Sequence, residues 1–199
     1  MKDKTNNNRL VFLALLSLTV VPFALAWIVM QNPSIIIGGQ INYGNLVTPP
    51  RPIAATELIA LDEFSKTYFD EFKGRWVFVH VATEQGCLSE CLDSLYKTKQ
   101  IRIMLNKELS RIRRLIVVNP KVSESDAKPW WKDDPYLLRM RPGGDLITGM
   151  EKILGQSIPQ GTVFLMDPIG NLMMWYPPGF DPYAVKKDIK RLLKVSQVG

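Results

Sequence analysis

Hydrophobic and polar positions along this chain fall into blocks of different period, and each period predicts a different element. Leu10 to Met30 is a run of 21 residues without a charged side chain. A helix of about 20 apolar residues crosses a bilayer core, so this run is long enough to span one. Lys2, Lys4 and Arg9 precede it against Asp3 alone. That excess of positive charge is expected to hold the N-terminus in the cytoplasm and to export the chain beyond Met30. Pro22 bends such a helix without breaking it in a membrane. Ala24-Leu25-Ala26 has the small-x-small form of a signal-peptide cleavage site. The run nevertheless continues through Trp27, Ile28, Val29 and Met30, which favours an uncleaved anchor. Either reading places the remainder in the periplasm.

From Gln31 to Ala55 the pattern loses its period and turns to Gly, Pro, Asn and isolated aliphatics. Thr48-Pro49-Pro50-Arg51-Pro52 is its stiffest piece, and an extended spacer is expected. A strand-like arm packed on the domain fits the same residues. Trp76 to Ala82 is continuously apolar and β-branched, as a strand buried on both faces must be. A helix is predicted from about Leu88 to Leu109, with Leu88, Leu92, Leu95, Ile101, Leu105 and Leu109 as its apolar stripe. Leu115 to Val118 reads as a second buried strand, ended by Asn119-Pro120. Asn119 to Asp145 reads as a long surface excursion carrying Trp130 and Trp131. Thr162 to Met166 and Leu172 to Tyr176 form a predicted hairpin around Asp167-Pro168-Ile169-Gly170-Asn171. The last element is an amphipathic helix near Pro182 to Val195, capped by Asp181 with proline at its first position.

Composition narrows the function. Two cysteines and one histidine in 199 residues exclude zinc fingers, multi-disulfide scaffolds and metal cages built from several imidazoles. A net charge of +6 fits nucleic acid in isolation, but an exported domain does not meet it, so no nucleic-acid partner is expected. Lys186, Lys187, Lys190, Arg191 and Lys194 make a basic face on the last helix. They read as a solvated surface, or as one turned toward anionic lipid or an acidic partner. His80, alternating with Val79 and Val81, reads as a satisfied core residue, and Met173 and Met174 as core methionines.

Cys87 and Cys91 are the chemistry-bearing pair. They follow a buried strand and open a predicted helix, whose unpaired N–H groups and positive dipole end favour thiolate over thiol. Residues four apart share a helical face, so both sulfurs can meet one partner: each other, a soft metal ion or a client thiol. As a mere staple the pair contributes little, because a loop this short gives only about 2 kcal/mol.

Gly74-Arg75-Trp76-Val77-Phe78-Val79-His80-Val81-Ala82, followed by Cys87-Leu88-Ser89-Glu90-Cys91, resembles the Sco family of membrane-anchored, thioredoxin-fold copper proteins. Val163 to Gly170 looks like that family's later hairpin. Asn42-Tyr43-Gly44 and Pro49-Pro50-Arg51-Pro52 look like a bacterial branch associated with cytochrome oxidase genes. The resemblance implies a Cys-x-x-x-Cys copper and redox site at Cys87 and Cys91. It also implies a ligating histidine at about Pro159, where this sequence has none, and a proline beside the first cysteine that is likewise missing. Two-thiolate Cu(I) binding and thiol–disulfide exchange are the chemistries left to such a pair.

The expected organisation is a cytoplasmic head at 1–8, a transmembrane anchor at 9–30, a periplasmic linker at 31–55 and an α/β thioredoxin-like domain at 56–199. The expected function is a tethered thiol-redox or Cu(I)-handling factor that assists cytochrome c oxidase assembly. Its expected partners are the inner membrane and a respiratory oxidase subunit or assembly factor. The alternative is a non-catalytic oxidase-associated scaffold that docks through Trp130, Trp131 and the excursion around them.

Overall fold

The computed structural model describes residues 3–32 and 42–196. The chain divides into two compact units, residues 1–41 and 42–199. Part of the expected spacer, residues 33–41, and the first two residues of the expected head lie outside the described residues.

In the first unit, α1 (Asp3–Gln31) is one continuous helix with Pro22 inside it. Its stretch Arg9–Gln31 is long and apolar enough to cross a membrane. Every polar group on such a helix needs an internal partner in lipid. Ser17 and Thr19 meet that demand by donating their hydroxyls to the carbonyls of Ala14 and Leu16, both at 2.9 Å.

The second unit is a seven-stranded sheet with helices on both faces. Its strands are β1 (Asn45–Pro52), β2 (Leu58–Ala60), β3 (Trp76–Ala82), β4 (Ile112–Val118), β5 (Leu138–Pro142), β6 (Val163–Met166) and β7 (Asn171–Tyr176), in spatial order β1-β7-β6-β3-β4-β5-β2. β3, β4 and β5 run parallel, and β6, β7 and the two edge strands run antiparallel to their neighbours. The helices are α2 (Glu63–Thr67), α3 (Ser89–Met104), α4 (Glu124–Ala127), α5 (Leu146–Leu154) and α6 (Pro182–Val195).

All seven residues of β3 are buried, because side chains of alternate residues enter two different cores. Val77, Val79 and Val81 pack with Leu115, Val117 and Phe164 against Leu146 and Met150 of α5. On the other face, Trp76 and Phe78 pack against Ile101 of α3 and Val185 and Ile189 of α6. The expected strands from Trp76, Leu115, Thr162 and Leu172 therefore lie in one sheet. α6 begins at Pro182 with the Asp181 side chain accepting from Tyr183 N, as its capping residues predict.

Three expectations change. Residues 42–55 are not spacer: β1 lies along β7 and belongs to the folded unit, so the arm reading is the one observed. Asn119 to Asp145 is not one surface excursion, since it holds α4, a short 3-10 turn over Trp131 and the buried strand β5. Leu-Arg-Met-Arg-Pro hides β5 because its arginines look solvent-seeking. Arg139 pairs with Asp62 at 3.1 Å and stacks over Phe64 and Trp131, while Arg141 donates to the carbonyls of Val118, Asn119 and Val122. The predicted 88–109 helix ends at Met104, and a 3-10 turn takes over at Asn106.

Candidate thiol-redox and metal site

The site is built where β3 hands over to α3. After Ala82 the chain turns tightly, with Gly86 N donating to Thr83 O at 3.0 Å. Gly86 sits at φ +87, a conformation that suits glycine because it has no Cβ to clash. Cys87 comes next, Leu88 is the N-cap without a side-chain cap, and Cys91 is the third residue of α3. The two sulfurs are joined in a disulfide, with their Cα atoms 5.1 Å apart. Cys87 is 5% exposed and Cys91 1%.

Two walls enclose the pair. On one side the Trp130 ring lies over Gly86, close enough that a Cβ there would stand 3.1 Å from it. On the other, residues 159–161 cross the start of α3. Gln160 donates from Nε2 to Gly86 O at 2.9 Å and to Thr83 Oγ1 at 2.6 Å, and its Oε1 accepts from Leu88 N at 3.4 Å. One amide thus holds the backbone on both sides of Cys87. Sequence reasoning missed Gln160. Its only signal was its place next to Pro159, the position the family histidine would be near.

Behind the pair lies a buried polar chain that the predicted apolar stripe did not foresee. The inner face of α3 presents Ser94 and Thr98, while Leu88 and Leu92 are exposed. His80 takes both hydroxyls, Ser94 Oγ at 3.1 Å through Nδ1 and Thr98 Oγ1 at 2.9 Å through Nε2. Thr98 Oγ1 also accepts from Arg114 Nε at 3.0 Å and donates to helix carbonyls. Which ring nitrogen carries the proton follows from how Ser94 and Thr98 divide their own protons between His80 and the helix carbonyls. Burial, reinforced by the Arg114 guanidinium, pushes the His80 pKa well below its usual value and keeps the ring neutral. Arg114 in turn pairs with Asp134. Ser94 donates back to Cys91 O at 2.8 Å when its proton is not used by Nδ1. His80 is a satisfied core residue, as expected, and one hydroxyl separates it from the Cys91 backbone.

Glu84 and Glu90 are exposed, and Glu84 pairs with Lys121 at 2.7 Å. Trp131 is 7% exposed and packs with Cys87, Cys91 and Leu137. It forms core, not a docking surface. Met174 is buried in the core, and Met173 is half-buried against it. Among the described residues no group of three or more His, Cys, Asp or Glu comes together to hold a metal ion. At the site the sulfur donors are Cys87 and Cys91, with the Gln160 amide holding the backbone on either side of Cys87. Such a set suits soft Cu(I) once the disulfide is reduced and offers Cu(II) no imidazole.

A family model described as a transmembrane-like, thioredoxin-like C-terminal domain matches residues 76–196. The chain belongs to that family. Solved Sco structures share its fold. Yeast Sco1 with copper bound is 16% identical with a TM-score of 0.53, covering 74% of this chain and 91% of that one. Apo Sco1 from Thermus thermophilus is 18% identical with a TM-score of 0.52, covering 78% and 99%. BsSco, a member of the Sco family of cytochrome c oxidase assembly proteins in which a disulfide switch has been identified, is 11% identical with a TM-score of 0.50, covering 74% and 96%. No curated protein matches the sequence. The protein is therefore Sco-like in fold, with an N-terminal helix able to cross a membrane.

Proposed function

We propose that this protein is a membrane-tethered, periplasmic thiol-redox and Cu(I)-handling factor that assists cytochrome c oxidase assembly, with Cys87 and Cys91 as its working pair. The observation that carries the proposal is the disulfide itself, a Cys-x-x-x-Cys bridge set at a strand-to-helix junction of a Sco-like fold. Copper-bound yeast Sco1 and the disulfide switch of BsSco lend it direction.

Cys87 is the less deeply buried of the two residues. A client thiolate attacks it, the Cys87–Cys91 bond breaks, and Cys91 leaves as a thiolate at the positive end of α3. A second client thiolate then displaces Cys87, so the client gains a disulfide and the pair gains two electrons. The reduced pair can capture Cu(I) as cargo through its two thiolates. Lys2, Lys4 and Arg9, ahead of the uncharged run Leu10 to Met30, support an N-terminus in the cytoplasm and a domain in the periplasm.

The test compares wild type with the Cys87→Ser, Cys91→Ser and double variants in Cu(I) competition, dithiol exchange and oxidase assembly in cells. Each single variant is expected to lose Cu(I) binding and exchange. The near-complete burial of both cysteines favours a second reading, a scaffold whose disulfide does no chemistry. Full oxidase assembly by the double variant would establish the scaffold and remove the redox–copper role. A reporter fused after Gly199 is expected to be active only in the periplasm.

A further inference from the structure

The outer face of α6 carries a pattern that the cysteine site does not use. Tyr183, Lys187, Lys190 and Lys194 recur at i, i+4, i+7 and i+11, which places them on one face of the helix. Arg191 flanks them and is held at 3.8 Å from Asp188. Asp188 is the only acidic residue in α6, and it is 2% exposed, so no acid appears on the outer face. Among the described residues, Lys187, Lys190 and Lys194 make no ion pair.

Aromatic side chains accompany these lysines. Tyr183 is 61% exposed and Tyr43 55%. Lys186 Nζ lies 5.5 Å from the Tyr183 ring centroid and Lys187 Nζ 5.6 Å from that of Tyr43. At the far end of α6, Lys190, Lys194 and Lys107 line a groove of about 600 Å³ with Met104, Leu105 and Leu193, and its one acid, Glu108, is paired with Arg111 at 2.9 Å. Cations, exposed tyrosines and apolar side chains match the layered chemistry of a lipid headgroup region.

Asp188 ties the start of the folded unit to this helix. Its Oδ2 accepts from the backbone N–H groups of Tyr43 and Gly44 at 2.9 and 3.0 Å. The first residues of the folded unit are thereby fastened to the helix that bears the basic face. Eleven residue steps join Gln31, the end of α1, to Asn42.

We propose that the outer face of α6, with Lys107, docks on anionic phospholipid headgroups of the membrane that holds the chain. The proposal rests on reading α1 as an anchor, and its test separates the two. The full chain is reconstituted in nanodiscs of phosphatidylcholine alone, or with about one-third phosphatidylglycerol. Co-elution with the discs reports the anchor. Reductive methylation with mass spectrometry reports the face, and Lys66, on α2, serves as the exposed control.

With anionic discs, Lys187, Lys190 and Lys194 are expected to methylate about threefold more slowly than with neutral discs, and about 0.5 M salt abolishes the difference. Lys66 keeps the same rate throughout. In the variant Lys187→Glu/Lys190→Glu/Lys194→Glu, Lys107 loses its protection. Equal rates in both discs while the chain co-elutes overturn the proposal and leave the anchor standing. Equal protection in both discs also overturns it, because the face is then covered by a protein contact indifferent to lipid charge. Failure to co-elute removes the anchor, and the proposal with it.

Discussion

Gly161 lies so close to Glu90 that a Cβ built on it would stand 2.7 Å from the Glu90 carbonyl oxygen. Its φ of +82 is also one that L side chains rarely adopt. Gly161→Ala is expected to destabilise the fold by about 2 kcal/mol and to push residues 159–161 off the start of α3. Gln160 then loses Gly86, Thr83 and Leu88 together. The disulfide should become more accessible, and its reduction by dithiothreitol about threefold or more faster in a stopped-flow assay. An unchanged reduction rate would show that Gln160 does not gate the pair.

His80 makes stability depend on pH. The folded imidazole is held neutral by burial and by Arg114, whereas the unfolded chain takes up a proton below about pH 6.5. The unfolded state binds more protons there, so stability is complete above that pH and falls as pH drops. The slope approaches about 1.4 kcal/mol per pH unit. Urea titrations between about pH 5 and 7 should show this slope in wild type and lose it in His80→Gln. A His80→Gln profile parallel to wild type would assign the slope to other groups.

Trp131 and Trp130 part ways despite being neighbours. Trp131→Ala opens a cavity beside the disulfide and under Arg139, and is expected to cost about 3–5 kcal/mol. Trp130 is only partly buried, so Trp130→Ala should cost less than half as much, while uncovering Gly86. Thermal melts of both variants decide the point. Equal losses would contradict the burial difference.

Much of this molecule is legible in its sequence wherever burial writes a single period. β3, β6, β7 and α6 each show an unbroken apolar run or stripe, and each lies where that pattern puts it. What sequence hides are positions where a polar residue is buried and satisfied at long range. Arg139 made β5 look like loop, although Asp62, 77 positions earlier, awaits it. Ser94 and Thr98 made the inner face of α3 look like its outer face, because His80 and Arg114 come from other strands. Gln160 carries no local signature, since its three partners lie more than 70 residues before it. The spacing of Cys87 and Cys91 showed that the two sulfurs can meet one partner, but not that they meet each other, nor the walls around them.

β1 closes one side of the sheet with Pro49, Pro50 and Pro52, three residues without an N–H to offer. Molecules confined to a surface meet one another far more often than molecules free in solution. A sheet ending in a regular strand would then invite each copy to zip onto the next and grow a ribbon across the plane. A proline-studded border denies such growth the donors it needs. On the proposed membrane tether, copies crowded in the plane then pass one another on the β1 side without zipping together.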